Sequence, residues 1–454
     1  MRARLLALAL PIALVTACGG DDGGASPDAA DLDAAVPDAE VPDADPSGPV
    51  TITVTGEGSP IPDVDVVFND ATGAVLSHKT TGSDGKATET MLPGGSLTIA
   101  VQPPSGYFTV TYSDVQPGDD LVWQFDAPVP ATVGDLAVTL PGVQANATRY
   151  DVQIGCRTFT TNNPALPVTG TITADCLGSD DKIDVVAIAY AANGSPVGYD
   201  YQTAVTAVSG GTTVVTLDAW QVTSDPLTVT LTNAPGNTAA AGLEGHFRID
   251  GLDFVGVGGG ATPVAGTITI PSAYLSGGIA QQLQYLIFIQ LGTQQAPAGF
   301  HAILAGHAGT PATVTHDLSQ LLPSMSAATA TTDAGRPSLG WIASGSFAAA
   351  DGALVLASWH EGADLHQSFA LLPPDASNPT VFPAMPDELA AYRPTGSSAW
   401  DLPTVIFIDA DYIDGWDDFR TGPGFALLGD NALDQIPATG GVMRASIGGN
   451  LPGN

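Results

Sequence analysis

The sequence predicts an all-β protein in which tandem β-sandwich modules follow a disordered tether. Two observations carry that prediction. From Val50 the chain alternates apolar residues with threonine (Val50-Thr51-Ile52-Thr53-Val54-Thr55), the period-two pattern of a half-buried strand. Runs of the same kind recur as LTIAV, FTVTY, LAVTL, DVVAIAY, TTVVTL, LTVTL and GTITI, with turn residues between them at short intervals. Helical periodicity is confined to two modest stretches, 277–291 and 387–392, and the first contains YLIFI, a run that also fits a buried strand. Charged residues make up 13% of the chain, well below the usual quarter, and small and β-branched residues take their place.

Before Val50 the chain is built differently. Arg2 and Arg4 precede an apolar stretch from Leu5 to Val15, too short to span a bilayer and of signal-peptide length. It ends in Val15-Thr16-Ala17-Cys18, which resembles the lipobox of bacterial lipoproteins: an aliphatic residue, two small residues and a cysteine. The resemblance implies that 1–17 is removed and that Cys18 becomes the lipidated N-terminus, anchoring the protein to a membrane. In that family an Asp directly after the cysteine favours the inner membrane. Gly19 stands there, which points towards the outer membrane of the cell envelope. Residues 18–49 then repeat Pro-Asp-Ala units almost without large apolar side chains. Like charges and no core to bury predict a self-repelling, disordered tether.

With Cys18 lipidated, Cys156 and Cys176 remain as an even pair in an oxidising compartment, and a disulfide follows; two buried free thiols are the alternative. Charge excludes one class of partner. Lys and Arg total 12 against 47 Asp and Glu, a net charge of −35, and the leader carries two of the cations away. Such a field repels nucleic acid and anionic lipid, and attracts divalent cations.

Four folded modules are expected. Residues 50–128 resemble the carboxypeptidase-regulatory-like, transthyretin-like group of immunoglobulin-type sandwiches. The resemblance is carried by Gly56, Pro62, Val64, Val66, Phe68, Gly73, Thr80-Thr81, Asp84-Gly85 and Leu92-Pro93-Gly94. It implies a structural or adhesive module without catalytic residues. Residues 129–225 and 226–323 read as copies of each other. LAVTL at 136–140 matches LTVTL at 227–231, GTIT at 170–173 matches GTIT at 266–269, PVGY at 196–199 matches PAGF at 297–300, and VTLD at 215–218 matches VTHD at 314–317. The cysteine pair has no counterpart in the second copy. Residues 324–454 open with a small-residue link (324–335), continue with strands near 339–347, 353–359, 365–372 and 404–408, and hold four of the six tryptophans.

Candidate chemistry is sparse and concentrated in this last module. His360, Glu361 and His366 imitate a metal-hydrolase string, yet Asp364 stands where a zincin places its second histidine. Asp409, Asp411, Asp414, Asp417 and Asp418 cluster around Gly415 as a calcium candidate, with spacing unlike an EF-hand. Trp359, Trp400 and Trp416 are candidate stacking residues for a glycan or peptide ligand. GVGGGA at 256–261 fits a dinucleotide fingerprint formally but lacks the helix that must follow it. No GxSxG elbow and no P-loop occurs. The expectation is a non-enzymatic, membrane-anchored envelope lipoprotein for adhesion, envelope organisation or ligand display, with no cofactor beyond calcium. The alternatives are a calcium-assisted glycan- or peptide-binding lipoprotein and a metal-dependent hydrolase.

Overall fold

A computed structural model describes residues 46–449 apart from 57, 104–105, 126–129, 179–180, 193–195, 223, 250–251, 276–279, 294–296, 402, 423–435 and 438–439. Cys18 and most of the expected tether lie outside the described residues. Strands dominate throughout. The first module holds β1 (Gly48–Gly56), β2 (Ser59–Pro60), β3 (Asp65–Asn69), β4 (Val75–Thr80), β5 (Lys86–Met91), β6 (Gly95–Val101), β7 (Gly106–Val115) and β8 (Asp120–Gln124). The second holds β9 (Thr132–Thr139), β10 (Ala147–Gln153), β11 (Thr158–Thr161), β12 (Val168–Thr173), β13 (Lys182–Ala191), β14 (Pro196–Thr206) and β15 (Thr212–Thr216). The third holds β16 (Ser224–Thr232), β17 (Thr238–Ile249), β18 (Leu252–Ala261), β19 (Ile268–Leu275), β20 (Gln282–Gly292), β21 (Pro297–Ala308) and β22 (Thr313–Asp317).

Period-two alternation does what it should. In β1, Val50, Ile52 and Val54 are fully buried while the threonines between them point away from the core. The two matched modules share one topology. In each, the first strand pairs antiparallel with the fourth and parallel with the seventh, facing a sheet in which the third, second, fifth and sixth are neighbours in that order. The first module has the same plan once the two-residue β2 is set aside: β1 pairs antiparallel with β5 and parallel with β8, opposite the order β4-β3-β6-β7. The chain therefore contains three copies of one seven-stranded sandwich, the first without the matching strings that tie the other two together.

The last module is different. It contains β23 (Met325–Asp333), β24 (Arg336–Ala343), β25 (Gly352–Glu361), β26 (Asp364–Leu372), β27 (Thr380–Val381), β28 (Ala399–Trp400), β29 (Thr404–Ala410), the short helix α1 (Gly415–Thr421) and β30 (Gly441–Gly449). Its larger sheet joins the others. β26 pairs parallel with β7 of the first module, and β30 pairs antiparallel with β21 of the third. A single 13-stranded sheet results, running from β18 through β30 and β26 to β4. One row of apolar side chains crosses it in register: Leu97, Tyr112, Leu371, Leu354, Ile406, Ile447 and Phe300. That face is covered by the β1 sheet and by Phe419 of α1, within one core. The opposite face carries Val355, Ala370 and Val405 under the β23–β24–β27 sheet, and Ile287, Ile289 and Ile303 under the β16 sheet. A smaller cluster, Val186, Ile188, Phe247 and Phe254 among its members, links the second module to the third.

Some local expectations hold and others are overturned. The helix candidate at 277–291 is strand β20 over its described part, because cross-strand burial of Leu283, Tyr285, Ile287 and Ile289 outweighs a weak helical period. The stretch at 387–392 is a short 3-10 helix. The small-residue link at 324–335 is mostly strand β23, paired along its length with β24. The glycines at 256–260 lie within β18 and pair with β17, so no helix follows them. Gly48 and Pro49, counted with the tether, already belong to β1. The first and third modules are also joined through the last one by strand pairing, which no local pattern announced.

Two glycines mark where the modules touch. At Gly106 φ is +147°, and a Cβ there would lie 2.0 Å from the carbonyl oxygen of Leu365 on β26. At Gly299 φ is +130°, and a Cβ would lie 1.9 Å from the carbonyl oxygen of Met325 on β23. Gly106→Ala and Gly299→Ala should each lower unfolding free energy by about 1–3 kcal/mol, through backbone strain and displacement at the seam. Chemical denaturation measures this, and Gly142→Ala, with nothing near its Cβ position, serves as the comparison for strained φ alone.

Candidate functional site at the seam of the first and last modules

The sequence-derived candidates gather at the two ends of β25. At its C-terminal end, register aligns Trp400 with Trp359 and Trp359 with His366, and the parallel seam sets Tyr107 beside His366. Four rings therefore stand side by side across four strands. Centroids are 5.2 Å apart for Trp400 and Trp359, 5.2 Å for Trp359 and His366, and 4.6 Å for His366 and Tyr107. Tyr392 meets Tyr107 edge-on at 5.2 Å. Trp359 is 1% exposed and His366 3%, so the middle of the ladder is core. Trp359 is thus removed from the candidate surface-stacking residues, while Trp400 stays half-buried with one side towards solvent. The Trp359 indole nitrogen and both ring nitrogens of His366 are buried without a hydrogen-bond partner. Burial pushes the His366 pKa down, partly offset by the nearby Glu361 and Asp364 carboxylates.

The hydrolase arrangement does not assemble. In the β25–β26 hairpin His360 pairs with Leu365, while Trp359 pairs with His366. Alternation puts the rings of His360 and His366 on opposite faces of the sheet, out of reach of one ion. His360 lies 3.5 Å from Asp401 at the surface. Glu361 accepts hydrogen bonds from Ser398 Oγ and, at 3.0 Å, from the Thr395 amide and hydroxyl. The Ser398 bond foremost, then the Thr395 amide, hold its carboxyl below the usual range. It ties down the 395–398 loop and is neither a raised-pKa base nor a ligand beside His366.

At the other end of β25 the five aspartates separate. Asp409 and Asp411 both pair with Arg444 of β30, at 3.2 and 2.8 Å. Asp417 pairs with Arg420 at 2.9 Å, and Asp418 accepts from the Asp414 amide at 3.2 Å. The turn is organised from beneath by Asp351, which sequence reading passed over. It is buried and accepts from the amides of Ala410 at 2.7 Å and Gly415 at 3.2 Å. Among the described residues, the one group of three ligand atoms drawn from His, Cys, Asp and Glu alone that crowd together is Cys156, Asp175 and Cys176. There the two sulfurs are joined as a disulfide, with Cα atoms 4.6 Å apart. Trp416 packs over Gly352, seven residues along β25 from Trp359, so the three tryptophans form no common platform.

Arg420 is the other residue that sequence reading missed. Its side chain is 1% exposed and reaches from α1 into the first module. There it pairs with Asp119 at 2.9 Å and donates to the backbone carbonyl of Asp114. Asp119 also accepts from the Gln116 amide at 2.7 Å. Burial raises the Asp114 and Asp119 pKa values, against the pull of the guanidinium. The available signal was an arginine among aspartates in a chain with so few cations. The arrangement is a latch between modules, with no group placed for acid–base or nucleophilic chemistry.

No protein-family model matches the chain, and no curated protein does. Among solved structures it is similar to the Bacillus anthracis TIE protein, at 12% identity over 60% of this chain and 50% of that one, with a TM-score of 0.15. It is also similar to the shaft pilin SpaA of Lactobacillus rhamnosus GG, at 9% identity over 38% of this chain and 98% of that one, with a TM-score of 0.15. A DUF3823 family protein from Parabacteroides merdae gives 13% identity over 36% of this chain and 99% of that one, with a TM-score of 0.14. The chain thus spans half the length of the TIE protein it matches, and scores of this size carry no argument about function.

Two predictions follow from the seams. Removing the guanidinium in Arg420→Met leaves the half-buried Asp119 without its partner and should cost about 1–3 kcal/mol, read by denaturant melts. Buried neutral histidines give the second. Burial holds His301, on β21 opposite Ser446, down to about 4, and lowers His366 as well. A folded pKa below the unfolded one means that the unfolded chain binds the proton more tightly. Stability from these groups is therefore fully present above about pH 6.5 and falls away towards pH 4. His301→Gln should flatten that slope in melts taken from pH 7 to pH 4.

Proposed function

We propose that this protein is a non-enzymatic, lipid-anchored component of the cell envelope that presents a rigid β-sandwich body for adhesion or ligand display. The observation that carries the reading is the order of parts: a lipobox ending at Cys18, an acidic segment with no means of forming a core, then an all-β body. A scaffold role is supported by Arg420, Asp351 and Glu361, each of which fastens one segment to another. Gly19 after the cysteine favours the outer membrane. The strong negative charge of the chain argues against nucleic acid and anionic surfaces as partners.

A second reading, capture of a glycan or peptide, draws on the aromatic ladder. Trp400 and Tyr107 are half-buried at its two ends, and Glu361, two residues along β25 from Trp359, shares that face. A protein or glycan ligand that stacks there should quench tryptophan fluorescence, and Trp400→Ala should remove that response.

The anchoring claim has a direct test. In Cys18→Ala the protein should lose fatty-acid labelling and leave the membrane fraction; a variant that stays labelled and membrane-bound would overturn it. For the display role, the anchored chain is screened against glycans and envelope proteins with and without calcium.

A further inference from the structure

We propose that Tyr285, His307 and His316 of the third module form a binding site for one divalent transition-metal ion of the zinc or copper class. The phenol oxygen of Tyr285 lies 3.1 Å from His307 Nε2 and 2.8 Å from His316 Nε2. Three donor atoms of the kind such ions prefer thus converge from three strands, β20, β21 and β22. Ligands held about 2.0–2.1 Å from zinc at tetrahedral or right angles stand roughly 2.9–3.4 Å apart, close to the separations seen here.

The surroundings suit an ion better than a packed core. Tyr285 is fully buried, whereas both imidazoles are half-buried at the wall of a cavity of about 280 Å³. Thr315, Asp317 and Gln320 also line it, leaving room for a water or a further oxygen as fourth ligand. Arg444 lines the same cavity and pairs with Asp409 and Asp411.

The repeat supplies an independent argument. The position matching His316 in the second module is Leu217, 3% exposed within that module's core. One seven-stranded plan therefore closes with an aliphatic side chain at this place, and the fold itself does not call for a histidine. A phenol has one proton to share with two acceptor-capable imidazoles. An ion in their midst would displace that proton to solvent, so uptake should release a proton and weaken as pH falls.

The test uses the full chain, dialysed separately against Zn²⁺ and Cu²⁺, with metal content measured by mass spectrometry and affinity by calorimetry. One ion per chain is expected, with a rise in melting temperature. His316→Leu, which copies the second module, and Tyr285→Phe, which keeps the ring, should each weaken binding by more than about tenfold. The copper complex should show a phenolate-to-copper absorption band that Tyr285→Phe abolishes. His360→Ala, on the distant hairpin, should change nothing. No stoichiometric ion in the native chain overturns the proposal, as does binding that survives both substitutions, which would place the ion on the acidic segment. Should His316→Leu fail to fold, Tyr285→Phe decides through affinity and the absorption band.

Discussion

The edges of the strands govern this molecule. A seven-stranded sandwich of the kind repeated here leaves edge strands with unpaired N–H and C=O groups, which must be covered, solvated or paired. β7 is such an edge in the first module and β21 in the third, and both are taken up by the last module through β26 and β30. Pairing them makes one sheet from three modules. It also buries that sheet on both faces, since the β1 sheet lies on one side and the small sheets of the third and fourth modules on the other. The row from Leu97 to Phe300 is the physical trace of that fusion. Gly106 and Gly299 are its steric consequence, because backbone there approaches too closely for a side chain.

Scarce positive charge is spent at the same junctions. Arg420 is fully enclosed where α1 meets the first module, and Arg444 on β30 holds Asp409 of β29 and Asp411 of the turn that follows it. An enclosed ion pair gains little net stability over an apolar replacement, but it penalises any arrangement that separates its members. Placed at a seam, it therefore specifies how two modules sit together. Asp351 does comparable work within the last module, where a buried carboxylate gathers the amides of a turn. The dense aspartate run there reads as a charged surface segment stitched down by arginines and backbone amides.

Legibility in the sequence varied with distance along the chain. The matched strings of the second and third modules were visible because equivalent strands kept the same residues, and each match falls in corresponding strands or at their ends. The first module follows the same topology without those strings, so only strand pairing reveals the kinship. Locally ambiguous segments went the way of their partners: 277–291 over its described part and 324–335 became strands because β17, β21 and β24 offered ladders to them. Candidate sites fared likewise. Trp359 and His366 were recognised as unusual, but their stacking with Tyr107 depends on a contact across more than 250 positions, which no local motif encodes.

The sequence by itself determined the class of structure, the acidic composition of the segment before Val50, the matched strings of the second and third modules and the absence of familiar catalytic motifs. Those properties are written in composition and in spacings of a few residues, where side-chain period and turn chemistry act directly. Tertiary structure alone decided that three modules share one sheet and that His360 and His366 face apart. It alone decided that three of the five aspartates divide between two arginines and that Tyr285 joins His307 and His316. Each of these is a matter of register between strands remote in sequence. Register is settled by the total burial and hydrogen bonding of the assembled sheet, a quantity that no single stretch of chain contains.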